Sequence, residues 1–333
     1  MTDLNRAWIL SRRPAASHAL EACFELVEKP VPDLADGEVL VRNHFLSVDP
    51  YMRGRMDDIK SYAEPQALGA VMQGGTVGVV ARSRNPRFAQ GDAVVGRMGW
   101  QEWGVSDGSG MGRVDASRIA LSAYLGVAGM PGITAWIGLK HLIEPKEGQT
   151  VAVSAASGAV GSVVGQLAKQ MGCRVVGIAG GAEKCRLVTE GFGFDACIDY
   201  KAGGLDAALK AACPQGIDGY FENVGGPMLD AALKRMNAFG RIAVCGLIAG
   251  YNGEPIPVNN IRSILVNRLR MQGFIVTEFP KLWPVAQAEL VEAVAANRLR
   301  YHETVAQGIE AAPSAFTALL RGGNIGKQLV KLI

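Results

Sequence analysis

The stretch from Thr150 to Gly165, TVAVSAASGAVGSVVG, sets the strongest limit on how this chain can fold. Val151, Ala152, Val153 and Ser154 form a short apolar run of strand character. The run ends in small residues, Ala155, Ala156, Ser157, Gly158, Ala159, Val160 and Gly161, after which a helix can turn Val163, Val164, Leu167 and Ala168 inwards. Ala155, Gly158 and Gly161 spell A-x-x-G-x-x-G, a variant of the glycine fingerprint for dinucleotides. At Gly158 the backbone can approach a pyrophosphate, and at Gly161 the helix can pack tightly on the strand. The free N–H groups of the first helical turn, with the helix dipole, then favour negative charge there. Glycine–alanine turns also occur in ordinary alpha/beta packing, so the motif takes its meaning from the residues on its C-terminal side.

Those residues make a second apolar run, Cys173 to Ala179, after a helix of plausible length. The run completes a strand–helix–strand unit of about 30 residues. A chain that prefers NAD usually ends this second strand in Asp or Glu, which bonds the ribose hydroxyls. Here the strand ends in Gly180 and Gly181, and Lys184 comes next among the charged groups after Glu183. A missing carboxylate at the tip and a nearby cation fit a 2′-phosphate, so the cofactor reads as NADP(H). Glu183 dilutes that charge argument, and a solvated helix lysine is the plainer reading of Lys184.

The 333 residues are enough for two domains. With 49% hydrophobic and 20% charged residues the profile is globular rather than disordered. The formal charge of +3 is small and dispersed, and no basic patch interleaved with aromatics occurs, so the expectation is no nucleic-acid partner. Cys23, Cys173, Cys185, Cys197, Cys213 and Cys245 form no C-x-x-C pair, and none stands beside His18, His44, His141 or His302 at zinc-ligand spacing. Free thiols of this kind fit a reducing compartment. MTDLNRAWIL lacks the pattern of a secretory signal, and no apolar run approaches the ~20 residues of a membrane span. The expectation is a soluble cytoplasmic protein without a membrane partner.

Residues 5–50 read as β, with runs at Arg6–Leu10, Phe24–Glu28 and Val39–Phe45 separated by Pro30, Pro32 and Asp36-Gly37. LSVDPYMRGR at 46–55 reads as a loop or one short helix, with Tyr51 either packing under it or lining a site. Residues 71–96 continue strand, turn, strand, as in a barrel-like unit. Trp100 and Trp103 are core or rim aromatics, or walls of a cleft. From Pro131-Gly132 onwards strands and helices alternate. Strand candidates at 151–154, 174–179, 196–199, 218–222, 241–246 and 271–276 argue for a doubly wound parallel sheet, followed by a helix at 285–298. The tail, 301–333, returns to mixed strands and a helix.

Ordered motifs then carry a family signature: SVDPYMRGRM (47–56), GMPGITAW (129–136), AASGAVGSVVGQLAK (155–169), GCRVVGIAGGAEKC (172–185), GIDGYFENVGG (216–226), GRIAVCGLIAGYN (240–252) and GGNIGKQLVK (322–331). On these the chain resembles the medium-chain dehydrogenase/reductase superfamily. Within it, the chain is similar to the zinc-free branch of leukotriene B4 dehydrogenase/prostaglandin reductases, plant double-bond reductases and bacterial NADPH-dependent curcumin reductases. The resemblance implies an α/β fold in which a Rossmann doubly wound parallel sheet is inserted into a GroES-like β-barrel domain. Its implied bounds are 1–125 for the GroES-like part, 126–298 for the NADP-binding domain and 299–333 for the return.

The resemblance also implies the site. Gly158, Ala159, Val160 and Gly161 would hold the pyrophosphate, and Lys184 and Tyr200 the 2′-phosphate. Asn223 would lie beside the cofactor. Cys245, Gly246, Leu247, Ile248 and Tyr251, with Phe274, Ile275 and Val276, would run along its nicotinamide half, and Asn324 would reach it from the tail. Where zinc-using members carry Gly-His-Glu, this chain has Met72-Gln73-Gly74-Gly75, and the four-cysteine lobe is missing, which argues against an alcohol dehydrogenase.

The implied reaction is reduction of the carbon–carbon double bond of an enone or enal by NADPH. Tyr251 is the candidate donor to the developing enolate, or packs the cofactor while water supplies the proton. Tyr51 would line the substrate pocket. A zinc-free quinone oxidoreductase and an NADPH-binding structural or regulatory protein are the alternatives. A homodimer is expected through the strand near 271–276, if that strand stands at the sheet edge rather than inside.

Overall fold

The computed structural model describes residues 4–15 and 19–333; His18 and the first three residues of the N-terminal segment lie outside them. The chain divides into two compact units, Met1–Gly126 with Glu303–Ile333, and Val127–His302.

In the first unit, β1 (Leu4–Leu10) pairs antiparallel with β2 (Phe24–Pro30). Then come β3 (Val39–Ser47), the short helix α1 (Tyr51–Arg55), β4 (Thr76–Ser83), β5 (Ala93–Gly96), β6 (Trp103–Ser106) and β7 (Gly112–Arg113). β3 pairs with β4 and β6, β4 with β5, and β5 with β7, all antiparallel. Alternating apolar positions turn Val39 and Val41 of β3 onto Val80, Phe88 and Val94. Trp100 is fully buried in a second cluster, where its ring stacks on Phe24 at 5.0 Å and meets Phe316 edge-on at 5.7 Å. It is therefore a core residue rather than a cleft wall. Trp103 opens β6 at the surface, with the Arg42 guanidinium 4.7 Å from its ring centre.

In the second unit, α2 (Met130–Ile137) begins with Pro131 in its first turn, where the missing N–H costs nothing. A wider π-turn over Gly138–Ile143 extends it. The alternation comes next: β8 (Thr150–Ser154), α3 (Gly161–Gln170), β9 (Arg174–Ala179), α4 (Ala182–Arg186), β10 (Ala196–Asp199), α5 (Leu205–Ala212), β11 (Ile217–Glu222), α6 (Pro227–Leu233), β12 (Met236–Val244), α7 (Arg262–Val266), β13 (Arg270–Gly273) and α8 (Trp283–Ala295). The six-stranded sheet runs in the order β10-β9-β8-β11-β12-β13, with every pair parallel. The strand order reverses between β8 and β11, and in open α/β sheets the crevice beyond such a reversal is where ligands bind. β13 is an edge strand, which settles the choice the sequence left open. It stops at Gly273, short of the expected 276, because the Phe274 ring turns inwards onto Phe221 and Phe279 and a 3-10 turn starts at Val276.

The chain ends in β14 (Glu303–Gln307), α9 (Ala312–Leu320) and β15 (Lys327–Lys331). β15 pairs parallel with β14 and antiparallel with β3. Lys327 locks this return: its Nζ lies 2.9 Å from Asp49 Oδ1 and 2.7 Å from the Val48 carbonyl, all buried. Losing one partner of such a pair leaves the other charge uncompensated.

Candidate cofactor and substrate site

At the end of β8 the chain makes its tight turn on Ala155, which sits at φ 49°, a left-handed position that an L side chain rarely takes. The Gly158 N–H donates to the Ala155 carbonyl at 2.9 Å, and α3 starts at Gly161. A Cβ on Gly161 would lie 2.5 Å from the Ala155 oxygen and 2.9 Å from Ala156 Cα, so only glycine lets the helix sit this close. A Cβ on Gly158 would meet only that same oxygen, at 3.1 Å, and otherwise points into open space. Val163, Val164, Leu167 and Ala168 are buried along the inner face of α3, as the spacing predicts. Within the first turn of α3 the Ser162 N–H donates to the Gly158 carbonyl at 3.1 Å, and the Val163 and Val164 N–H groups to the Val160 carbonyl at 3.1 and 3.0 Å, so an anion here would meet the backbone of 159–161 that leads into the helix. These features fit a bound pyrophosphate.

The tip of β9 forms the next corner. A Cβ on Gly180 would lie 2.8 Å from the Tyr200 ring and 3.0 Å from Lys201 Cε, so both side chains lie over the glycine. Lys184 stands on α4 beside them. Burial holds its ammonium below the usual lysine range, and the nearby Lys201 charge lowers it further, while Glu183 opposes both. Two cations therefore share this corner, and the sequence motifs point to only one. The signal that could have found Lys201 is its position directly after Tyr200 at the end of a neighbouring strand. A carboxylate also arrives here, Asp199, but its Oδ1 is occupied by the N–H groups of Gly181 at 2.8 Å and Lys201 at 3.0 Å. It braces the turn, and the corner keeps a basic character that fits a phosphate better than ribose hydroxyls.

Across the sheet reversal, Asn223 comes directly after β11. Its side-chain Nδ2 donates to the Ser154 carbonyl at 2.7 Å, which ties it to the start of the glycine turn. Gly225 and Gly226, at φ 83° and 55°, then turn the chain sharply. The segment after β12 is bonded to this turn: Ile248 N–H donates to Asn223 O at 3.2 Å and Ala249 N–H to Val224 O at 3.0 Å. Burial pushes the Cys245 thiol up to about 12, with Glu222 adding to the effect, so it stays neutral. Tyr251 folds back over the segment, and its phenol oxygen accepts a long hydrogen bond from Leu247 N–H at 3.4 Å. A Cβ on Gly246 would stand 3.1 Å from that oxygen. The second unit thus gathers 158–161, Lys184, Tyr200, Asn223, 245–248 and Tyr251 along one edge of the sheet. Phe274 and Val276 are buried beside β13, so contact with a ligand there would fall to backbone and to the partly exposed Ile275.

Tyr51 and Asn324 belong to the first unit. Tyr51 opens α1, and burial, with the Asp49 charge, raises its phenol well above the ordinary range. It is a hydrogen-bond donor at any working pH. The Arg55 guanidinium lies 5.8 Å from its ring centre and 4.9 Å from that of Tyr62, an exposed aromatic that no sequence motif marks. Asn324 sits in the loop before β15, where its Nδ2 donates to the Gly326 carbonyl at 2.7 Å.

A six-strand parallel sheet with a glycine turn at its reversal, joined to a mainly antiparallel unit completed by the chain's tail, defines a class of nicotinamide-dependent oxidoreductase. The chain belongs to the medium-chain dehydrogenase/reductase family. Residues 6–114 match the family model described as the N-terminal domain of oxidoreductase, and residues 159–292 match zinc-binding dehydrogenase. The NADPH-dependent curcumin reductase of Escherichia coli is 44% identical, over 98% of this chain and 97% of that protein. The 2-alkenal reductase (NADP(+)-dependent) of Nicotiana tabacum is 46% identical, over 91% and 90%. The crystal structure of CurA in complex with NADPH from Vibrio vulnificus superposes with a TM-score of 0.92 at 43% identity, over 98% of this chain and 99% of that one.

The residues do not fit the metal in the second model's description. Met72 is fully buried in the apolar core, and the segment Met72-Gln73-Gly74-Gly75 supplies no Cys, His or carboxylate. Among the described residues no group of three or more His, Cys, Asp or Glu is placed to hold an ion.

Proposed function

We propose that the protein uses NADPH to reduce the carbon–carbon double bond of α,β-unsaturated carbonyl compounds. The observation that carries this reading is the similarity, over nearly the whole chain, to reductases named for curcumin and for 2-alkenals. The site supports the cofactor independently. The glycine turn leading into α3 suits a pyrophosphate, and Lys184, Lys201 and Tyr200 suit the 2′-phosphate.

Bound NADPH supplies a hydride for the β carbon. The protein's own task is then to steady the negative charge that develops on the carbonyl oxygen and to deliver a proton to the α carbon. Tyr251 is assigned that task, because it is a phenol held over its own glycine-containing turn at the end of β12. Tyr51, kept protonated by burial, is assigned to hydrogen-bond or wall the substrate, and Asn324 to contact the cofactor.

The six cysteines are all free, which agrees with a reducing cytoplasm. No helix among the described residues is long and apolar enough to cross a membrane. A homodimer through β13 is supported by its edge position and by exposed Met271, Ile261, Leu265 and Val266 around it. Light scattering of the purified protein at twice the chain mass is the expected result.

The test of the activity is NADPH oxidation without added metal against an enone, an enal, curcumin and a quinone, with NADH in parallel and products identified. Saturated carbonyl products with NADPH preferred are expected. Hydroquinone as sole product would move the assignment to quinone reduction. Tight NADPH binding with no turnover would point to a regulatory role.

A further inference from the structure

Glu222, the last residue of β11, is a fully buried carboxyl that the proposed reduction does not use. Three donors converge on its Oε1: Val224 N–H at 2.5 Å, Ser154 Oγ at 2.7 Å and Gly225 N–H at 3.0 Å. Ser154 is the last residue of β8, immediately before the glycine turn. The same hydroxyl oxygen accepts from Asn223 N–H at 2.7 Å. One carboxyl therefore joins the ends of two strands on either side of the sheet reversal. The joined segments are those that carry Ala155–Gly161 on one side and Asn223–Gly226 on the other.

We propose that Glu222 is a positioning residue for the cofactor, whose carboxyl fixes the 223–225 turn against the end of β8 and so sets the place of Asn223 and of the glycine turn. The proposal rests on the NADPH reading of this site. The turn needs such a fixture. Gly225 and Gly226 stand at positive φ and carry no side chain of their own, so an acceptor within hydrogen-bond reach of the Val224 and Gly225 N–H groups is what selects one conformation. An apolar residue at 222 would fill the same space without supplying it. Leaving those N–H groups and the Ser154 hydroxyl without a buried acceptor is costly.

The fixture works through hydrogen bonding rather than charge. Among the described residues no cation pairs with Glu222; the titratable groups beside it are Tyr220, two residues back on the same strand face, and Cys245 at the end of β12. Glu222 Oε2 and the Tyr220 hydroxyl are both buried without a regular hydrogen bond in this geometry. A proton shared between them would satisfy both, and burial raises both groups towards their protonated forms. A glutamine at 222 would keep the Oε1 acceptor and present an N–H to Tyr220.

The test compares Glu222→Ala, Glu222→Gln and Ser154→Ala with the wild-type protein. Its readouts are NADPH titration by nicotinamide fluorescence, thermal melting, and KM and kcat with an enone. E222A is expected to weaken NADPH about tenfold or more, with kcat at saturating NADPH within about threefold. S154A is expected to weaken NADPH about fivefold, and E222Q to bind within about twofold of wild type. NADPH affinity unchanged in E222A would overturn the proposal. So would E222Q as weak as E222A, because charge would then be the requirement. If E222A does not fold, S154A decides, and wild-type affinity in S154A overturns the proposal. Failure of the wild-type protein itself to bind NADPH would instead overturn the cofactor reading, a result separable from any ratio between variants.

Discussion

Substituting the two glycines of the turn separates the packing of α3 from the binding of phosphate. In G161A the new Cβ would stand 2.5 Å from the Ala155 carbonyl oxygen and 2.9 Å from Ala156 Cα. Both are backbone atoms of a turn already held at φ 49°. Separations under 3.0 Å essentially do not occur, so helix and turn must part by about 0.5 Å or more. Overpacking of this kind costs about 1–3 kcal/mol. For a unit of this size that is a melting temperature lowered by roughly 3–10 °C. NADPH affinity should fall with it, because the displaced turn is the proposed phosphate cradle. In G158A the sole close neighbour is the same oxygen at 3.1 Å, and the backbone there has no positive φ. Its melting temperature should stay within about 2 °C of wild type. The methyl group would nonetheless occupy the space that the pyrophosphate needs, and NADPH binding should weaken at least about tenfold. Differential scanning fluorimetry and NADPH titration read both effects. Wild-type NADPH affinity in G158A would refute the cradle, and an unchanged melting temperature in G161A would refute the packing argument.

Removing Lys184 or Lys201 should cost NADPH about 10- to 100-fold in kcat/KM and leave NADH within about threefold, since hydrogen bonds to charged groups contribute about 1.5–3 kcal/mol; equal losses with both cofactors would contradict the 2′-phosphate assignment. Y251F should lower kcat about 10- to 100-fold with NADPH KM nearly unchanged, and wild-type kcat would assign the proton to water. Glu222 has its folded-state pKa raised by burial above the ordinary 4.5, so the folded protein binds more protons than the unfolded chain above that value, and stability falls as pH rises through it. E222Q lacks this slope, so the stability gap in its favour, from urea midpoints between about pH 4.5 and 8, should widen with pH; a gap that narrows would contradict the neutral carboxyl.

The parallel sheet was legible because its strands are short apolar runs broken by glycine turns at regular spacing. Residues 151–154, 174–179 and 196–199 fall within or on the observed strands almost residue for residue. The edge strand near 271 was legible in place but not in length. Phe274 looks like a continuing strand residue, and only the packed sheet shows that its ring turns onto Phe221. Lys184 and Tyr200 could be named from the family resemblance, whereas Lys201 was not. Its place directly after Tyr200 was the one local signal; its relevance comes from two elements meeting over Gly180. Glu222 could be placed at the end of the strand candidate 218–222, but its burial and its bonds to the next turn are properties of the packed sheet around it. The left-handed turn at Ala155 was equally hidden, since alanine carries no mark of positive φ.

Reduction at the carbon–carbon double bond, rather than at the carbonyl, is what the site is proposed to perform. The most direct measurement is turnover of an α,β-unsaturated ketone with NADPH deuterated at the transferring position, with the product's label located by NMR. Deuterium at the β carbon of a saturated ketone and a solvent-derived hydrogen at the α carbon are expected. Deuterium on the carbonyl carbon of an allylic alcohol, or none in the product, would contradict reduction at the double bond.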